Sequence, residues 1–281
     1  MDRSPPHASL LIATYNWKEA LAAVLATVRR QDMPPLDVLI ADDGSRADTA
    51  ALIDEEARTF PVPLRHFWHE DRGFRKARIM NEALAHAAGE YIVQIDGDML
   101  LHPSFVADHV RLARRGSFLQ GSRVLMDDAL TRASIAARGI AGSWRSRGVR
   151  NRVNAIRAPW LTAMVRGPKD PLVGIRGCNM SFWRSDLVAV NGYDEAFEGW
   201  GREDSELAAR LLNAGVRRRN VKFSAVAWHL EHALRSQEAL DRNHERYERV
   251  ARERRVRCES GLAAHPWPDG GRDLAPERDA R

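Results

Sequence analysis

The first hundred residues alternate short apolar runs with stretches of helical spacing, and this alternation restricts the fold more than any other feature of the chain. Residues 9–13 (SLLIA), 36–41 (LDVLIA), 64–68 (LRHFW) and 91–95 (YIVQI) read as short buried strands. Between them, Ala20, Leu21, Val24, Leu25 and Val28 form one apolar helical stripe, and Ile79, Met80, Ala83, Leu84 and Ala87 another. Ser45 and Asp48 read as a capping box for the helix after the second strand, and residues 105–115 as a helix stopped by Gly116. Strands and helices in this order impose right-handed crossovers: an α/β fold with a mostly parallel, Rossmann-like sheet and helices on both faces. Ligands of such sheets bind at the carboxyl ends of the strands. The polar residues that close each strand are therefore where chemistry is expected.

Three such clusters fall on one sheet edge. The first strand runs out in Thr14-Tyr15-Asn16, the second in Asp42-Asp43-Gly44-Ser45 and the fourth in Asp96-Gly97-Asp98. Two carboxylates one residue apart can reach one hard cation, since Mg²⁺ and Mn²⁺ favour carboxylate and phosphate oxygens. The glycine between them permits close approach and unusual backbone angles. Taken singly, Asp-Gly-Asp is also an ordinary turn and Asp42-Asp43 an ordinary helix cap. Beside a nucleotide, a carboxylate at a strand end can accept from a uracil imide or a ribose hydroxyl, and an aromatic such as Tyr15 can stack on a base.

The second half carries a further acidic pair in Gly199-Trp200-Gly201-Arg202-Glu203-Asp204, followed by a helical pattern. Acids at a helix start are welcome for the dipole alone. A strand is expected over 221–227, leading to Trp228-His229-Leu230-Glu231-His232. Imidazole is a metal ligand as well as a common surface group, with His229 the first choice and His232 the second.

Ser9 to Asn16, Asp42 to Ser45, the KARIMN stretch from Lys76 and the Asp96–Asp98 pair together resemble the nucleotide-binding half of family 2 glycosyltransferases, which have the GT-A fold. The resemblance implies a nucleotide-sugar donor, with Tyr15 and Asp43 at the nucleobase, Thr14 and Asp42 beside them in the donor site, and Lys76 on the donor. It implies Mn²⁺ or Mg²⁺ across the diphosphate, held by Asp98 and Asp96 and by a late histidine, His229 or His232. The family often has Pro before the Thr or Ser; here Ala13 stands there. The Gly199–Asp204 stretch resembles the acceptor-side motif of galactosyltransferase-type C-terminal segments. That resemblance makes Asp204 the general base, Trp200 with Gly201 the sugar platform, and Glu203 a partner of donor or acceptor hydroxyls. The implied reaction is an inverting single displacement that moves a sugar, from UDP first among donors, to a glycan or glycolipid hydroxyl in bacterial surface polysaccharide synthesis.

The resemblance covers about 8–120 and 173–232, which suggests a nucleotide-sugar half (1–120), an acceptor and catalytic half (121–235) and a charged helix with a mobile tail (236–281). Within the second half, 128–169 is set apart by nine basic residues against one acid, Asp128. It reads either as a solvated flexible loop or as a contact to an anionic membrane face or phosphorylated acceptor. A net charge of +5 also suits nucleic acid, but no zinc-finger spacing or RNA-binding aromatic strand accompanies it, so none is expected as partner. A sugar-nucleotide pyrophosphorylase would need a glycine-rich basic loop after the first strand, where Thr14-Tyr15-Asn16-Trp17 stands instead. An inactive sugar-binding relative would share the fold. No run of about 18 apolar residues exists. With two cysteines, Cys178 and Cys258, and no secretory pattern at the start, the expected location is the cytoplasm.

Overall fold

The structure is a computed structural model that describes residues 4–233 and 236–265. In chain order it contains β1 (Ala8–Thr14), α1 (Lys18–Val28), β2 (Asp37–Asp42), α2 (Ala47–Ala57), β3 (Leu64–Trp68), α3 (Lys76–Leu84), β4 (Tyr91–Asp96), β5 (Met99–Leu101), α4 (Phe105–Leu112), β6 (Ser117–Gln120), β7 (Val124–Leu125) and α5 (Asp128–Ala136). There follow a 3₁₀ turn at Arg152–Ala155, α6 (Pro159–Thr162), β8 (Asn179–Trp183), α7 (Arg184–Val190), α8 (Glu203–Asn213), β9 (Arg217–Asn220), β10 (Ala227–His229) and α9 (Leu240–Glu253).

Seven strands form the central sheet in the order β3-β2-β1-β4-β8-β6-β9. β1, β2, β3 and β4 run parallel, as the alternation requires. β8 is antiparallel to both of its neighbours, β4 and β6, and β9 is again parallel to β6. The start of β8 therefore lies on the same sheet edge as the carboxyl ends of the others. Side chains alternate along each strand. Leu10, Ile12, Val38 and Ile40 pack on Leu21, Val24 and Leu25 of α1, while Leu11 and Leu39 pack on Ile79 and Met80 of α3. Each such side chain, fully buried, contributes roughly 2 kcal/mol. The sheet takes strands from both sides of residue 120, so the expected halves share one core.

A second, three-stranded sheet, β5-β10-β7, stands at the end of β4. It registers His229 opposite Met99, so a residue late in the chain sits beside the Asp96–Asp98 turn.

Several local expectations differ from the structure. The capping box does not form: Arg46 is the N-cap of α2 with no side-chain bond, Ser45 Oγ accepts from the Asn16 N–H, and Asp48 pairs with Lys18. α4 ends at Leu112, where Ala113 turns extended (ψ 135°). β3 is a half-buried edge strand. Residues 221–226 form no strand, because Phe223 and Ala225 take positive φ; pairing resumes at Ala227. The Arg-rich stretch is not a loose loop. It contains α5 and α6, and Arg157 donates two hydrogen bonds, 2.8 and 2.7 Å, to the fully buried Asp108. Burial would raise the Asp108 carboxyl, but the Arg157 hydrogen bonds and charge hold it below its usual value. The late charged helix is shorter than expected, and the tail from 266 on, expected to be mobile, lies outside the described residues. Both cysteines are free and buried.

Candidate active site

The carboxyl edge of the sheet brings the three acidic clusters together. β4 hands over to the Asp96-Gly97-Asp98 turn, whose Gly97 N–H donates to Ala13 O at 2.7 Å. A Cβ at Gly97 would meet the Thr14 side chain and Ala13 carbonyl at 3.0–3.1 Å. Glycine serves here for close approach; its φ is not in the left-handed region. Thr14 is buried, and its carbonyl accepts the Asp43 N–H at 3.0 Å.

Asp98 lies against two imidazoles. His232 Nε2 is 3.1 Å and His229 Nε2 3.7 Å from Asp98 Oδ2. One ligand atom from each of the three falls within 4.8 Å of the others. Asp98 Oδ1 is buried and has no hydrogen-bond partner among the described residues, so one carboxylate oxygen is left unused. Burial pushes the Asp98 carboxyl up, yet the hydrogen bond with His232 and the charges of His229, His232 and Arg123 hold it low. His232 Nδ1 lies 2.8 Å from the Ala233 carbonyl. That contact fixes the orientation of the His232 ring, as a bond on the far nitrogen of a ligating imidazole does. A carboxylate and two imidazoles with an orphaned buried oxygen fit a divalent cation. Asp96 is outside this cluster, because Lys76 Nζ donates to its Oδ1 at 2.8 Å.

Lys76, at the start of α3, also lies 3.9 Å from Asp204 Oδ2. One buried ammonium thus joins the end of β4 to the start of α8. Burial would lower the Lys76 pKa, but Asp204, Asp96 and Glu203 raise it well above its usual value, so Lys76 stays charged. Asp204 is held on three sides. The Gly177 N–H donates to its Oδ2 at 3.0 Å, the Tyr193 hydroxyl lies 2.9 Å from its Oδ1, and Gln94 Nε2 approaches at 3.4 Å. The Tyr193 hydroxyl is also 2.8 Å from Gln94 Oε1. Burial, then Asp204, raises Tyr193 well above 10, so it remains a donor. A Cβ at Gly177 would lie 2.2 Å from the Asp204 carboxylate; only glycine lets the start of β8 pass here. Glu203 is buried, accepts the Gly201 N–H at 3.1 Å, and is pushed up to about 7 by burial and then by Asp204.

A pocket of about 470 Å³ is lined by Tyr15, Asp43, Phe74 and Trp200 among others. Tyr15 donates to Asp71 Oδ2 at 2.8 Å. The Asp43 carboxylate accepts the Arg75 N–H at 3.1 Å and contacts His69 Nε2 at 2.8 Å. Trp200, expected as a sugar platform, is 37% exposed and also lines this Tyr15/Asp43 pocket. Gly201 is buried with φ +113° and shapes the backbone. Asp42 is a correction to the expected donor site. It is fully buried, and its oxygens take the Ser45 N–H (2.8 Å) and His66 Nε2 (3.0 Å), so it braces the turn and does not face the cleft.

Gln94, Tyr193, Gly177 and Arg123 were not singled out in the sequence. Gln94 left a readable signal, a polar residue inside an apolar strand; His69 and Arg123 left none.

A parallel-sheet edge where one lysine joins two acidic pairs, beside a carboxylate–imidazole cluster and an aromatic pocket, defines a glycosyltransferase of the GT-A type. Residues 9–162 match the family model "Glycosyl transferase family 2", and residues 160–233 match a model described as the N-terminal domain of galactosyltransferase. The first match covers more than half of the chain, and the chain belongs to glycosyl transferase family 2. A chondroitin synthase of Escherichia coli is 27% identical over 251 residues, 79% of this chain and 34% of that protein. The chain therefore spans about a third of that relative's length. Among solved structures, the mannosyltransferase PcManGT of Pyrobaculum calidifontis in complex with GDP-Man and Mn²⁺ aligns with TM-score 0.58 and 21% identity, over 88% of this chain and 63% of that one. GalNAc-T7 with UDP, GalNAc and Mn²⁺ aligns with TM-score 0.63 and 15% identity, over 89% of this chain and 48% of that one. These likenesses show the fold. No helix among the described residues is long and apolar enough to cross a membrane.

Proposed function

We propose that this protein transfers one sugar from a nucleoside diphosphate donor, UDP first, to a hydroxyl of a glycan or glycolipid acceptor in bacterial surface polysaccharide synthesis. The observation that supports the reading is the Lys76 bridge: one ammonium lies 2.8 Å from Asp96 at the end of β4 and 3.9 Å from Asp204 in the acidic pair of α8. Tyr15, Asp43 and Trp200 line the pocket for base and ribose, and the Thr14 carbonyl holds the Asp43 N–H. Asp98, His229 and His232 would hold the cation, Mn²⁺ in preference to Mg²⁺ because two of three ligands are imidazole nitrogens. When bound, that cation offsets the charge that develops on the departing diphosphate. Lys76 adds a fixed positive charge at Asp96, on the same turn as Asp98. Asp204 accepts the proton of the attacking hydroxyl as the glycosidic bond forms. Gly177, Tyr193 and Gln94 fix both its oxygens, so it enters the reaction already oriented. One base opposite the leaving group gives a single displacement with inversion. Glu203, close behind, binds donor or acceptor hydroxyls.

The direct test is a panel of UDP-, GDP- and dTDP-sugars with Mn²⁺, scored for binding and slow hydrolysis. Binding of one nucleotide class, lost in Asp98→Ala, supports the proposal; binding of none refutes it.

A cytoplasmic enzyme acting on a glycolipid must meet a membrane face. Trp160 and Met164, 76% and 74% exposed beside Arg166 and Lys169, suit that contact. Trp160→Ser with Met164→Ser should release the protein from anionic vesicles in a flotation assay; unchanged flotation would end this part of the reading.

A further inference from the structure

The sheet edge that carries the acidic pairs continues past β8 to β6 and β9. There the carboxyl ends of these two parallel strands frame a second pocket of about 340 Å³, within the usual range of small-ligand sites, roughly 300–1,000 Å³. Five cations line it, Arg123, Arg166, Arg176, Arg218 and Lys222, and no carboxylate does. None of the five forms an ion pair among the described residues. Elsewhere on this protein arginines find acids readily: Arg157 with Asp108, Arg150 with Glu231, Arg115 with Glu90. Like charges gathered in a concave, partly dry site repel one another unless an anion joins them.

The pocket is built, not frayed. Arg218 is aimed by hydrogen bonds to the Pro171 and Val173 carbonyls, 2.9 and 2.7 Å, and to Asn220 Oδ1 at 3.0 Å. Gln120 at the end of β6 takes the Arg176 N–H at 3.2 Å and donates to the Arg176 carbonyl at 3.0 Å. Asn154 donates to the Arg123 carbonyl at 2.9 Å. The pocket also touches the reaction centre at two points. Arg176 precedes Gly177, whose N–H holds Asp204, and the Arg123 charge is felt by Asp98 and His229. A group seated here would bring its neighbouring hydroxyls toward Asp204.

We propose that this pocket binds an anionic group of the acceptor, a uronate carboxylate or a phosphate ester, so that the protein selects acidic over neutral glycans. Arginine forks pair with either oxyanion in bidentate fashion, and the amide side chains of Asn151 and Asn154 on the same wall suit sugar hydroxyls. A lipid surface is the weaker match, because the cations converge inside a concavity and do not spread over a face. The inference rests on the transferase reading for its meaning, yet the site can be tested without transfer.

The experiment uses the full chain in calorimetry with three probes: a glucuronate-terminated trisaccharide, its phosphate-ester counterpart and its neutral glucose-terminated counterpart, with UDP plus Mn²⁺ measured separately. At low salt one or both acidic probes should bind at least tenfold tighter than the neutral one, and 0.5 M salt should erode the difference. Which acidic probe prevails identifies the source of the anion. Arg176→Gln with Lys222→Gln should abolish the preference while UDP binding and thermal midpoint stay as in the parent. Arg166→Gln, on an exposed side chain, is the second variant should the pair fold poorly, and it should weaken the preference severalfold. Equal binding of acidic and neutral probes overturns the proposal, as does a preference that survives both variants. Loss of anionic-vesicle binding in the variants with oligosaccharide binding intact also overturns it, in favour of a lipid surface. Absent UDP binding with the acidic preference intact would instead refute the transferase reading and leave the anion site standing.

Discussion

Replacing Asp204 by Asn separates the proposed chemistry from the scaffold, because the amide nearly fits the same bonds. Turned so that Oδ1 accepts from Gly177 at the present 3.0 Å, the amide presents Nδ2 to the Tyr193 oxygen, now 2.9 Å from the carboxylate. The Tyr193 proton then goes wholly to Gln94 Oε1, already 2.8 Å away. What is lost is the charge assistance of these bonds, the 3.4 Å approach of Gln94 Nε2, which would now meet an N–H, and one counter-ion of Lys76, which keeps Asp96. The stability cost is therefore on the order of 1–2 kcal/mol, a drop of a few degrees in thermal midpoint for a chain of this size. The chemical cost is larger. Removing a positioned base lowers rate by roughly 10²–10⁴-fold, about 3–5 kcal/mol of barrier. Initial-rate assays of transfer, paired with calorimetry of UDP and Mn²⁺, should show kcat down by at least a hundredfold with UDP affinity within about threefold of the parent. Transfer within tenfold of the parent, in protein that binds UDP normally, would refute Asp204 as the base.

Gly177→Ala should lower transfer more than tenfold with UDP binding retained, since the new methyl would stand 2.2 Å from the Asp204 carboxylate and displace it. Asp98→Ala, or chelation of the parent, should abolish Mn²⁺-dependent donor binding in calorimetry. Arg210→Met should cost roughly 3–5 kcal/mol in urea unfolding, because it strands the fully buried Glu206 that Arg210 pairs with through two 2.6 Å bonds. His109, buried with its ring nitrogens on Ser181 and Asn179, has its pKa pushed down from 6.5 to about 4 by burial. Between those values the unfolded chain binds the extra proton, so stability should fall as pH drops from about 6.5 to 4, by about 3 kcal/mol at most from this group. Flat urea midpoints across that window would refute it.

The parallel half of the sheet was legible because Leu10, Leu11, Ile12 and Ala13 are apolar on both faces, as only a strand covered on both sides can be. The helix stripes of α1 and α3 were legible for the same reason. The antiparallel insertion of β8 was not, since NMSFW is equally apolar in either direction and only pairing decides. The chain from 221 to 226 reads as a strand by composition, yet Phe223 and Ala225 take positive φ, which no side-chain pattern announces. At the site, carboxylates after apolar runs were visible, whereas their partners were fixed by tertiary contact. Asp42 and Asp43 look alike in sequence; the pleat turns one into the core and the other toward the aromatic pocket. Arg123 and Arg218 carry no local mark, because the pocket they share is assembled from segments far apart in the chain.

The small sheet of β5, β10 and β7 has a thermodynamic corollary. Asp98 and His229 are separated by about 130 positions along the chain, yet meet because β10 pairs with the strand that follows the acidic turn. An ion gripped by both acts as a reversible cross-link that closes that long span, and it does so in the native state alone. At a hundred times its dissociation constant it would add about 2.7 kcal/mol to the folding free energy. Melting curves recorded with and without Mn²⁺ thus report on whether the late histidines hold the ion, before any donor or acceptor has been identified.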